Sequence, residues 1–296
     1  MDAKFQNSRR FSPADILAES GEIFAVFDEH SQDSGNVSYG VQIEERRYFV
    51  KTAGAPDATA FLDHPARCEL LHNAVRVAES CDHPALPHFH QMIESAHGPM
   101  LVYDWVDGEL LRVPSTRRDD PASSYRRFRV LPLPQIVAVL DTIFDLHMTL
   151  ARLGWIACDF YDGALIYDFA TRRLHVMDLD LYHRGPFVNE MGRMFGSSRF
   201  MAPEEFVLGA AIDQRTTVYT LGRTILNFLG NGTADESVFR GNAGLLAVAR
   251  RACAENPDER FQTVVAFWDG WQEAQGESPN LRKGNFYDTQ LFFQRT

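Results

Sequence analysis

Two stretches near the middle of the chain decide its fold: CDFYDGALIYD, residues 158–168, and VMDLD, residues 176–180. In an extended segment, residues i and i+2 point to the same side, so Asp178 and Asp180 predict two carboxylates facing one metal cluster. The loop DFYDG in the other stretch contains Asp162, a further candidate metal ligand. In a competing interpretation, Asp162 caps the backbone amides of its own loop as an Asx turn.

The residues before these stretches predict a small β-rich part. From Ile23 to Thr52 the sequence alternates in a strand-like way, which indicates three antiparallel strands joined by hairpins. A helix is predicted from about Pro65 to Ser80. Two further strand signals, HFHQMIESA and GPMLVYDWV, complete a five-stranded sheet. The apolar face of the predicted helix consists of Leu70, Leu71, Ala74, Val75 and Ala78.

The residues from Leu133 onward predict helices. The segment LPQIVAVLDTIFDLHMTLARLG has apolar residues at helical spacing and ends at Gly154, a residue that suits a C-cap. Three later runs are also helical: TTVYTLGRTILNFLG, NAGLLAVARRACA and FQTVVAFWDGWQEA. A β-rich part followed by a helical part is typical of the α+β class. We predict an N-lobe of residues 1–103 and a C-lobe of residues 104–296.

The C-lobe contains an arginine-rich insertion, RVPSTRRDDPASSYRRFRVLP, at residues 112–132. Its content of arginine, proline and serine favours a solvated loop. Alternatively, its arginines gather around the anions of an acidic partner or a phosphorylated ligand. The arginines in question are Arg117, Arg118, Arg126, Arg127 and Arg129.

Composition excludes some classes of protein. The net charge of -11, from 40 acidic against 29 basic residues, argues against a nucleic-acid binder with a generally positive surface. The four cysteines form no CxxC pair, which indicates reduced structural thiols. The N-terminus lacks the apolar run of a signal peptide, and no stretch approaches the ~20 apolar residues of a membrane span. We therefore expect a cytoplasmic protein with neither a nucleic acid nor a membrane as partner.

Together with GSSRFMAPEEF, residues 196–206, the two opening stretches resemble the catalytic loop, metal-binding loop and substrate-docking segment of a eukaryotic-type serine/threonine protein kinase. The resemblance runs from about Phe24 to Trp271. It implies a bilobal protein-kinase-like fold with a small β-rich N-lobe and a larger α-helical C-lobe. ATP and Mg²⁺ would be the cofactors, and a protein the substrate or partner. Glu204, in the Ala-Pro-Glu motif, would pair with Arg260.

The resemblance assigns roles in phosphoryl transfer. Lys51, in YFVK, resembles the strand lysine that contacts the α and β phosphates. Its usual glutamate partner is Glu69 when counted forward from Lys51, although counting back from the following turn gives Asn73; we choose Glu69. Asp159 matches the aspartate that orients the acceptor hydroxyl, and Ser197 matches the residue that hydrogen-bonds this aspartate.

The resemblance also predicts the nucleotide contacts. Gly35 matches the last glycine of the phosphate-covering loop, and Val37 matches the valine that packs on adenine. In the hinge segment LVYDWV, Tyr103 guards the back pocket and two backbone positions meet the adenine edge, while a nearby glutamate reaches the ribose. The expected nucleotide-binding residues are Gly35, Val37, Lys51, Glu69, Asp104, Val106 and Glu109.

The predicted metal site departs from the family pattern. Asp178 matches the aspartate of Asp-Phe-Gly, and Asp180 replaces its glycine. This Asp-Leu-Asp pair is similar to the metal loop of choline-kinase-like and aminoglycoside-phosphotransferase-like kinases. Ala164 stands where the family has a metal-binding asparagine, and alanine has no ligand atom. Asp180 or Asp162 would have to replace that ligand.

Other departures affect regulation and nucleotide binding. His30 and Gln32 stand where the first two glycines belong, which implies weak or altered nucleotide binding. Ala157 and Cys158 replace the His-Arg that precedes the catalytic aspartate, so switching by activation-loop phosphorylation is not expected. Thr217 replaces an aspartate that anchors the catalytic loop.

Three functions remain open at this point. The first is an ATP- and Mg²⁺-dependent kinase that transfers the γ-phosphate to a serine or threonine hydroxyl, which the Ala-Pro-Glu segment favours. The second is a pseudokinase that acts as a binding or scaffold protein, which the altered residues favour. The third is a small-molecule phosphotransferase, which the Asp-Leu-Asp pair favours. The joint presence of Lys51, Asp159 and Asp178 supports catalysis, whereas the acceptor, oligomeric state and pathway do not follow from the sequence.

Overall fold

The computed structural model describes residues 8–28 and 34–276, and these residues have an α+β architecture in two compact units. The first unit comprises the described residues up to Arg127 together with Arg152–Arg184. The second comprises Phe128–Ala151 and the described residues from Gly185 onward. The predicted boundary between residues 103 and 104 falls inside the first unit, so the division into an N-lobe and a C-lobe stays a prediction.

A five-stranded antiparallel sheet forms the centre of the first unit, as the sequence predicted. Its spatial order is β1-β2-β3-β5-β4. A two-residue turn joins β2 to β3, and Glu44 in this turn adopts a left-handed conformation with φ 55°. The strands are β1 (Glu22–Phe27), β2 (Val37–Ile43), β3 (Arg46–Thr52), β4 (Phe89–Ser95) and β5 (Gly98–Asp104).

A helix covers each face of this sheet. Since side chains alternate between the faces along each strand, neighbouring strand residues pack against different helices. The two helices are α1 (Pro13–Ser20) and α2 (His64–Ser80). Val50 and Val102 belong to a core cluster with Ile16 of α1. Leu101, the residue next to Val102, instead packs in a cluster with Leu71 of α2. Residues on the Leu101 side of the sheet therefore face α2.

The start of α2 follows from its sequence. The Asp63 side chain accepts a hydrogen bond of 2.9 Å from the backbone N–H of Ala66, and Pro65 occupies the first turn. The buried face shares only Leu71 and Ala74 with the predicted face. The residues of α2 that are buried are Arg67, Leu71, Ala74 and Val77.

Five short strands complete the first unit. They are β6 (Glu109–Leu110), β7 (Trp155–Ile156), β8 (Leu165–Asp168), β9 (Arg173–Val176) and β10 (His183–Arg184). Strands β8 and β9 form an antiparallel hairpin, and β6 pairs with the other edge of β8. Strand β10 pairs with β7. The first of the two stretches that opened the sequence analysis thus ends in β8, and the second begins at the last residue of β9.

The second unit is mainly helical, as predicted. Phe144 packs against Phe267, with ring centroids 4.8 Å apart, and against Trp271, whose indole N–H donates a 2.8 Å hydrogen bond to Asp141. Strands β11 (Phe187–Val188) and β12 (Ala211–Ile212) pair antiparallel. The described residues contain five further α-helices, the first of which has residues in both units: α3 (Ser124–Arg129), α4 (Leu133–Arg152), α5 (Gln214–Gly230), α6 (Ala243–Ala252) and α7 (Val264–Ala274).

Helix α4 corrects one prediction. Among the described residues it is the one helix with the length and composition of a membrane span, although no stretch was expected to approach one. Half of its most apolar window is buried inside the protein. The buried positions recur at helical spacing and include Ile136, Leu140, Ile143 and Phe144, which is the pattern of a core helix.

The predicted ion pair between Glu204 and Arg260 is confirmed and lies in the second unit. The Arg260 guanidinium is fully buried and makes two hydrogen bonds, of 2.7 and 2.9 Å, to the two carboxylate oxygens of Glu204. Thr216 donates a third bond to the same carboxylate. A buried pair that is satisfied in this way stabilises the fold only while both partners are present.

Replacement of Arg260 by methionine should therefore lower the free energy of unfolding by about 3–5 kcal/mol, because the Glu204 carboxylate would stay buried without its partner. Urea unfolding followed by tryptophan fluorescence measures this loss. Arg250→Met is the matched control, since Arg250 pairs with Glu236 on the surface and should contribute below about 1 kcal/mol. Equal effects of the two changes would contradict the analysis.

Candidate active site

A cavity of about 830 Å³ lies within the first unit, and its volume is in the range of small-molecule sites. One part of its wall is apolar and aromatic, and another carries charged groups. The apolar wall includes Phe27, Phe49, Phe89, Trp105 and Ile166. The charged groups are Lys51, Glu79, Asp82, Asp104, Arg112, Asp159, Asp178 and Asp180.

Strand β3 aims Lys51 into this cavity. Lys51 lies opposite Ser38 of β2 and Leu101 of β5 in the sheet register, so its side chain projects on the face that α2 covers. Ser38 and Phe49, which share this face, also line the cavity. The lysine is consequently buried, with 9% of its surface exposed.

The β8–β9 hairpin brings the acidic residues together. Leu165 at the start of β8 pairs with Val176 at the end of β9, and the N–H of Met177 donates a 2.8 Å bond to the carbonyl of Ala164. Asp159, shortly before β8, and Asp178, shortly after β9, therefore emerge at the same end of the hairpin. Both line the cavity.

Asp159 and Asp178 both adopt the left-handed backbone conformation, with φ of 57° and 63°. The other described non-glycine residues with positive φ lie at a hairpin turn, at the β8–β9 turn and at a helix C-cap, where this conformation is expected. The two aspartates lie in none of these positions. Left-handed residues outside turns and caps cluster at functional sites, which makes this pair of aspartates a candidate catalytic centre.

Lys51, Asp178 and Asp180 form an ion triad. The Lys51 Nζ lies 2.5 Å from Oδ1 of Asp178 and 2.5 Å from Oδ2 of Asp180. Burial alone would lower the pKa of this lysine, but the two carboxylates outweigh burial and raise it. The ammonium therefore stays charged and the two carboxylates are held side by side, as their i, i+2 spacing predicted.

Burial, together with neighbouring carboxylates, raises the pKa values of Asp159, Asp180 and Tyr103. Burial, with a contribution from the charge of Asp178, raises the pKa of Asp159 to about 7. Burial also raises the pKa of Asp180; the Lys51 ammonium opposes this rise and Asp178 adds to it. Burial and then Asp180 raise the pKa of Tyr103, which stays a phenol. Asp159 can therefore take up or release a proton near neutral pH.

Helix α2 reaches the acidic loop through Asn73, and here the structure differs from the prediction for Lys51. The Asn73 amide donates two 2.7 Å hydrogen bonds, to the carbonyls of Asp180 and Tyr182. Glu69, the chosen partner of Lys51, is exposed and pairs with Arg76. The lysine's partners come from the acidic loop, because Glu69 points away from the buried face of α2.

Asp162 lies in an environment that does not suit a metal ligand. Its side chain is fully buried and lies 3.5 Å from the guanidinium of Arg118. Ala164, also buried, offers the cavity no side-chain oxygen. Of the two proposed replacements for the missing asparagine, only Asp180 lies beside Asp178 on the cavity wall.

Several predicted nucleotide contacts occupy other roles. Gly35 has φ 78°, and a Cβ at this position would lie 2.3 Å from that of Ala60, so close packing already requires glycine there. Val37 is paired in β2 and, among the described residues, is not part of the cavity wall. Glu109 is exposed and pairs with Arg127 at 2.6 Å. The positions of His30 and Gln32 lie outside the described residues.

The hinge segment does line the cavity. Asp104, Trp105 and Val106 all contribute to its wall. The Asp104 N–H donates to the carbonyl of His88, and its carboxylate contacts the ring of His90 at 2.7 Å, so the amide of Asp104 is already used. Val106 is the hinge position whose backbone can still meet a ligand edge.

The arginine-rich insertion is more ordered than a solvated loop, and four of its five named arginines have partners inside their own unit. Arg117 pairs with Asp120, and Arg118 with Asp162. Arg127 pairs with Glu109, and the buried Arg129 donates to the side chain of Asn231. These contacts do not favour the alternative in which the arginines gather around the anions of a partner. Ser197 and Thr217 belong to the second unit.

The cavity wall is acidic, and the arrangement of its carboxylates decides whether it can bind a metal ion. Six carboxylates face two cations, Lys51 and Arg112. Within the described residues no three His, Cys, Asp or Glu side chains form a complete metal site. Mg²⁺ is commonly bound by one or two carboxylates together with substrate phosphates. Asp178 and Asp180 suit that role, and a polyanionic nucleotide would need such a cation to enter this cavity.

No protein-family model matches the chain, and no curated protein matches its sequence.

Replacement of Asp159 by asparagine should stabilise the ligand-free protein above pH 7 by on the order of 2 kcal/mol. The folded-state pKa, about 7, lies above the ordinary value of 3.8. Ionisation of Asp159 therefore destabilises the fold increasingly as the pH rises from about 4 to 7, and the variant lacks this penalty. Thermal unfolding between pH 4.5 and 8 measures the difference, which should vanish at the acidic end.

Asp168→Asn is the control variant, for which the expected change in stability has the opposite sign. Hydrogen bonds from Thr171 and Ala170 lower the pKa of Asp168, so its contribution to stability is present above pH 4 and lost in acid. The variant should be less stable than the wild type at neutral pH. A D159N variant that is destabilised at pH 8 would contradict the burial of an ionised Asp159.

Replacement of Asn73 by alanine should lower the free energy of unfolding by about 2 kcal/mol, because two carbonyls of buried residues lose their donor. Glu69→Ala on the same helix should change it by less than about 0.5 kcal/mol. Urea unfolding followed by circular dichroism compares the two. A larger loss of stability in Glu69→Ala than in Asn73→Ala would indicate that Glu69 is after all a structural partner of Lys51.

Proposed function

We propose that the chain is a protein-kinase-like phosphotransferase of bilobal fold, which transfers the γ-phosphate of ATP to a serine or threonine hydroxyl with the help of Mg²⁺. The observation that carries this proposal is the ion triad of Lys51, Asp178 and Asp180 beside Asp159 in one cavity. Phosphoryl transfer requires a cation for the nucleotide phosphates, carboxylates for a metal and a carboxylate that orients the hydroxyl. Each has a candidate within this group.

Each residue of the group has a distinct proposed role. Lys51, charged and buried, would leave the carboxylates in part to hold the α and β phosphates. Asp178 and Asp180 would hold Mg²⁺, which neutralises charge on the phosphates. Asp159, with its pKa near 7, would accept the hydrogen bond of the acceptor hydroxyl and take its proton at physiological pH.

The remaining wall suits an adenine ring. Aromatic residues flank the hinge: Trp105 stacks on Phe27, with ring centroids 6.4 Å apart, and Tyr103 packs on Phe89 at 5.3 Å. An aromatic base between such side chains buries apolar surface, and the backbone of Val106 is placed at its edge. The cytoplasm would supply both ATP and Mg²⁺.

A second candidate is a pseudokinase that acts as a binding or scaffold protein. The same triad favours it in one respect, because Lys51 is held by both carboxylates and a nucleotide must compete with them. Ala164 also lacks the oxygen of a second metal ligand. A small-molecule phosphotransferase differs from the first proposal only in its acceptor.

Calorimetry of ATP binding with Mg²⁺, with Mn²⁺ and without metal tests the proposal. The wild type should bind ATP only with metal, and Asp178→Asn should lose this binding. Asp180→Asn should weaken it about tenfold, a loss of roughly 1.4 kcal/mol, because the metal ion would lose one charged ligand. Each variant leaves Lys51 one carboxylate partner.

Asp235→Asn is the matched control, because this exposed aspartate lies in the second unit and bonds only to its own loop. It should bind ATP as the wild type does. Unchanged Mg²⁺ dependence in Asp180→Asn would rule out Asp180 as a ligand. No binding by the wild type under any condition would overturn the proposal in favour of the pseudokinase.

A further inference from the structure

Arg112 differs from the other charged groups of the cavity wall. Lys51 is bonded to Asp178 and Asp180, whereas no ion pair or hydrogen bond engages the Arg112 guanidinium within the described residues. Arg112 is therefore the one cation of the described wall that is available to an incoming anion. Because the wall carries six carboxylates, the unpaired Arg112 makes one part of an otherwise negative surface positive.

The backbone next to Arg112 is anchored to strand β8. The preceding residue, Leu111, is fully buried and its N–H donates a 2.9 Å bond to the carbonyl of Leu165 in β8. The Arg112 guanidinium lies over the ring of Tyr161, 5.6 Å from its centroid. Tyr161 follows Asp159 by two residues and lies on the same cavity wall.

The ring of Tyr161 is itself fixed. A Cβ on Gly163 would lie 2.2 Å from this ring, so the phenol rests directly on the glycine backbone. The arginine thus has a rigid platform for a cation–π contact. Its charge also reaches Asp159: burial raises the pKa of that carboxyl most, and Arg112 is among the groups that lower it.

We propose that Arg112 selects the acceptor: it binds a carboxylate on the acceptor peptide, so that the favoured serine or threonine is flanked by acidic residues. This inference rests on the proposed function, because it takes Asp159 as the group that meets the hydroxyl. Tyr161 lies two positions after Asp159, so their Cα atoms are at most roughly 7 Å apart, and the guanidinium over the Tyr161 ring is within reach of a peptide whose serine meets Asp159. A carboxylate one to three residues from the acceptor serine spans that distance.

Peptide binding to the full chain tests this proposal without requiring catalysis. The probes are two fluorescein-labelled peptides with one serine, flanked either by aspartate and glutamate or by asparagine and glutamine. Fluorescence anisotropy is measured with Mg²⁺ and a non-hydrolysable ATP analogue. The wild type should bind the acidic peptide at least tenfold more tightly, and Arg112→Glu should abolish the difference.

Arg117→Glu is the matched control, since it changes the charge equally in the same segment but lies outside the cavity wall, paired with Asp120. It should keep the preference for the acidic peptide. The proposal is overturned by equal binding of the two peptides to the wild type, by binding of neither, or by an equal loss in both variants. A fall of ATP affinity in Arg112→Glu with an unchanged peptide preference also overturns it, because Arg112 would then contact the nucleotide.

Phosphate transfer to the same peptides keeps the two proposals apart. Transfer to the acidic peptide, lost in Arg112→Glu, supports both. Preferential binding of the acidic peptide without any transfer would refute the proposed catalytic activity and still support Arg112 as the selecting residue. Transfer at equal rates to both peptides would support the activity and refute the selection.

Discussion

The contact of Lys51 with Asp178 and Asp180 is the interaction on which the candidate site depends. It joins a strand of the five-stranded sheet to the loop after the β8–β9 hairpin, over a separation of more than a hundred residues. Removing charged groups from water is unfavourable unless each has a partner of opposite charge. The buried lysine therefore holds the acidic loop in place, and the acidic loop keeps the lysine charged.

Both the sheet and the β8–β9 hairpin position the residues that make this contact. Alternation along β3 turns Lys51 toward α2, and the antiparallel hairpin brings Asp159 to the same end as Asp178. Asn73 then fixes the carbonyls of Asp180 and Tyr182 from the helix. Backbone pairing, helix packing and charge thus act on one small region, which explains how two aspartates persist in left-handed conformations.

Much of this arrangement follows from the sequence, because it depends on local periodicity. The five-stranded sheet, the helices α2, α4, α5, α6 and α7, and the i, i+2 pair Asp178 and Asp180 are predicted by spacings of a few residues, whereas α1 and α3 were missed. The predicted partner of Lys51, Glu69, is wrong, since Glu69 lies on the exposed side of α2 and the lysine pairs instead with Asp178 and Asp180. Arg67 shows why: its charge suggests an exposed side, yet its guanidinium is buried and donates to the carbonyls of Ala53, Ala55 and Leu62. The pairing of the insertion's arginines likewise depends on contacts distant in sequence.

The hydrogen bonds of Asn73 also affect how α2 and the acidic loop can move. Because the amide that bonds the carbonyls of Asp180 and Tyr182 belongs to α2, a displacement of either the helix or the loop breaks the same two hydrogen bonds. With two carbonyls of buried residues left without a donor, such a displacement is unfavourable, so α2 and the acidic loop are expected to move together.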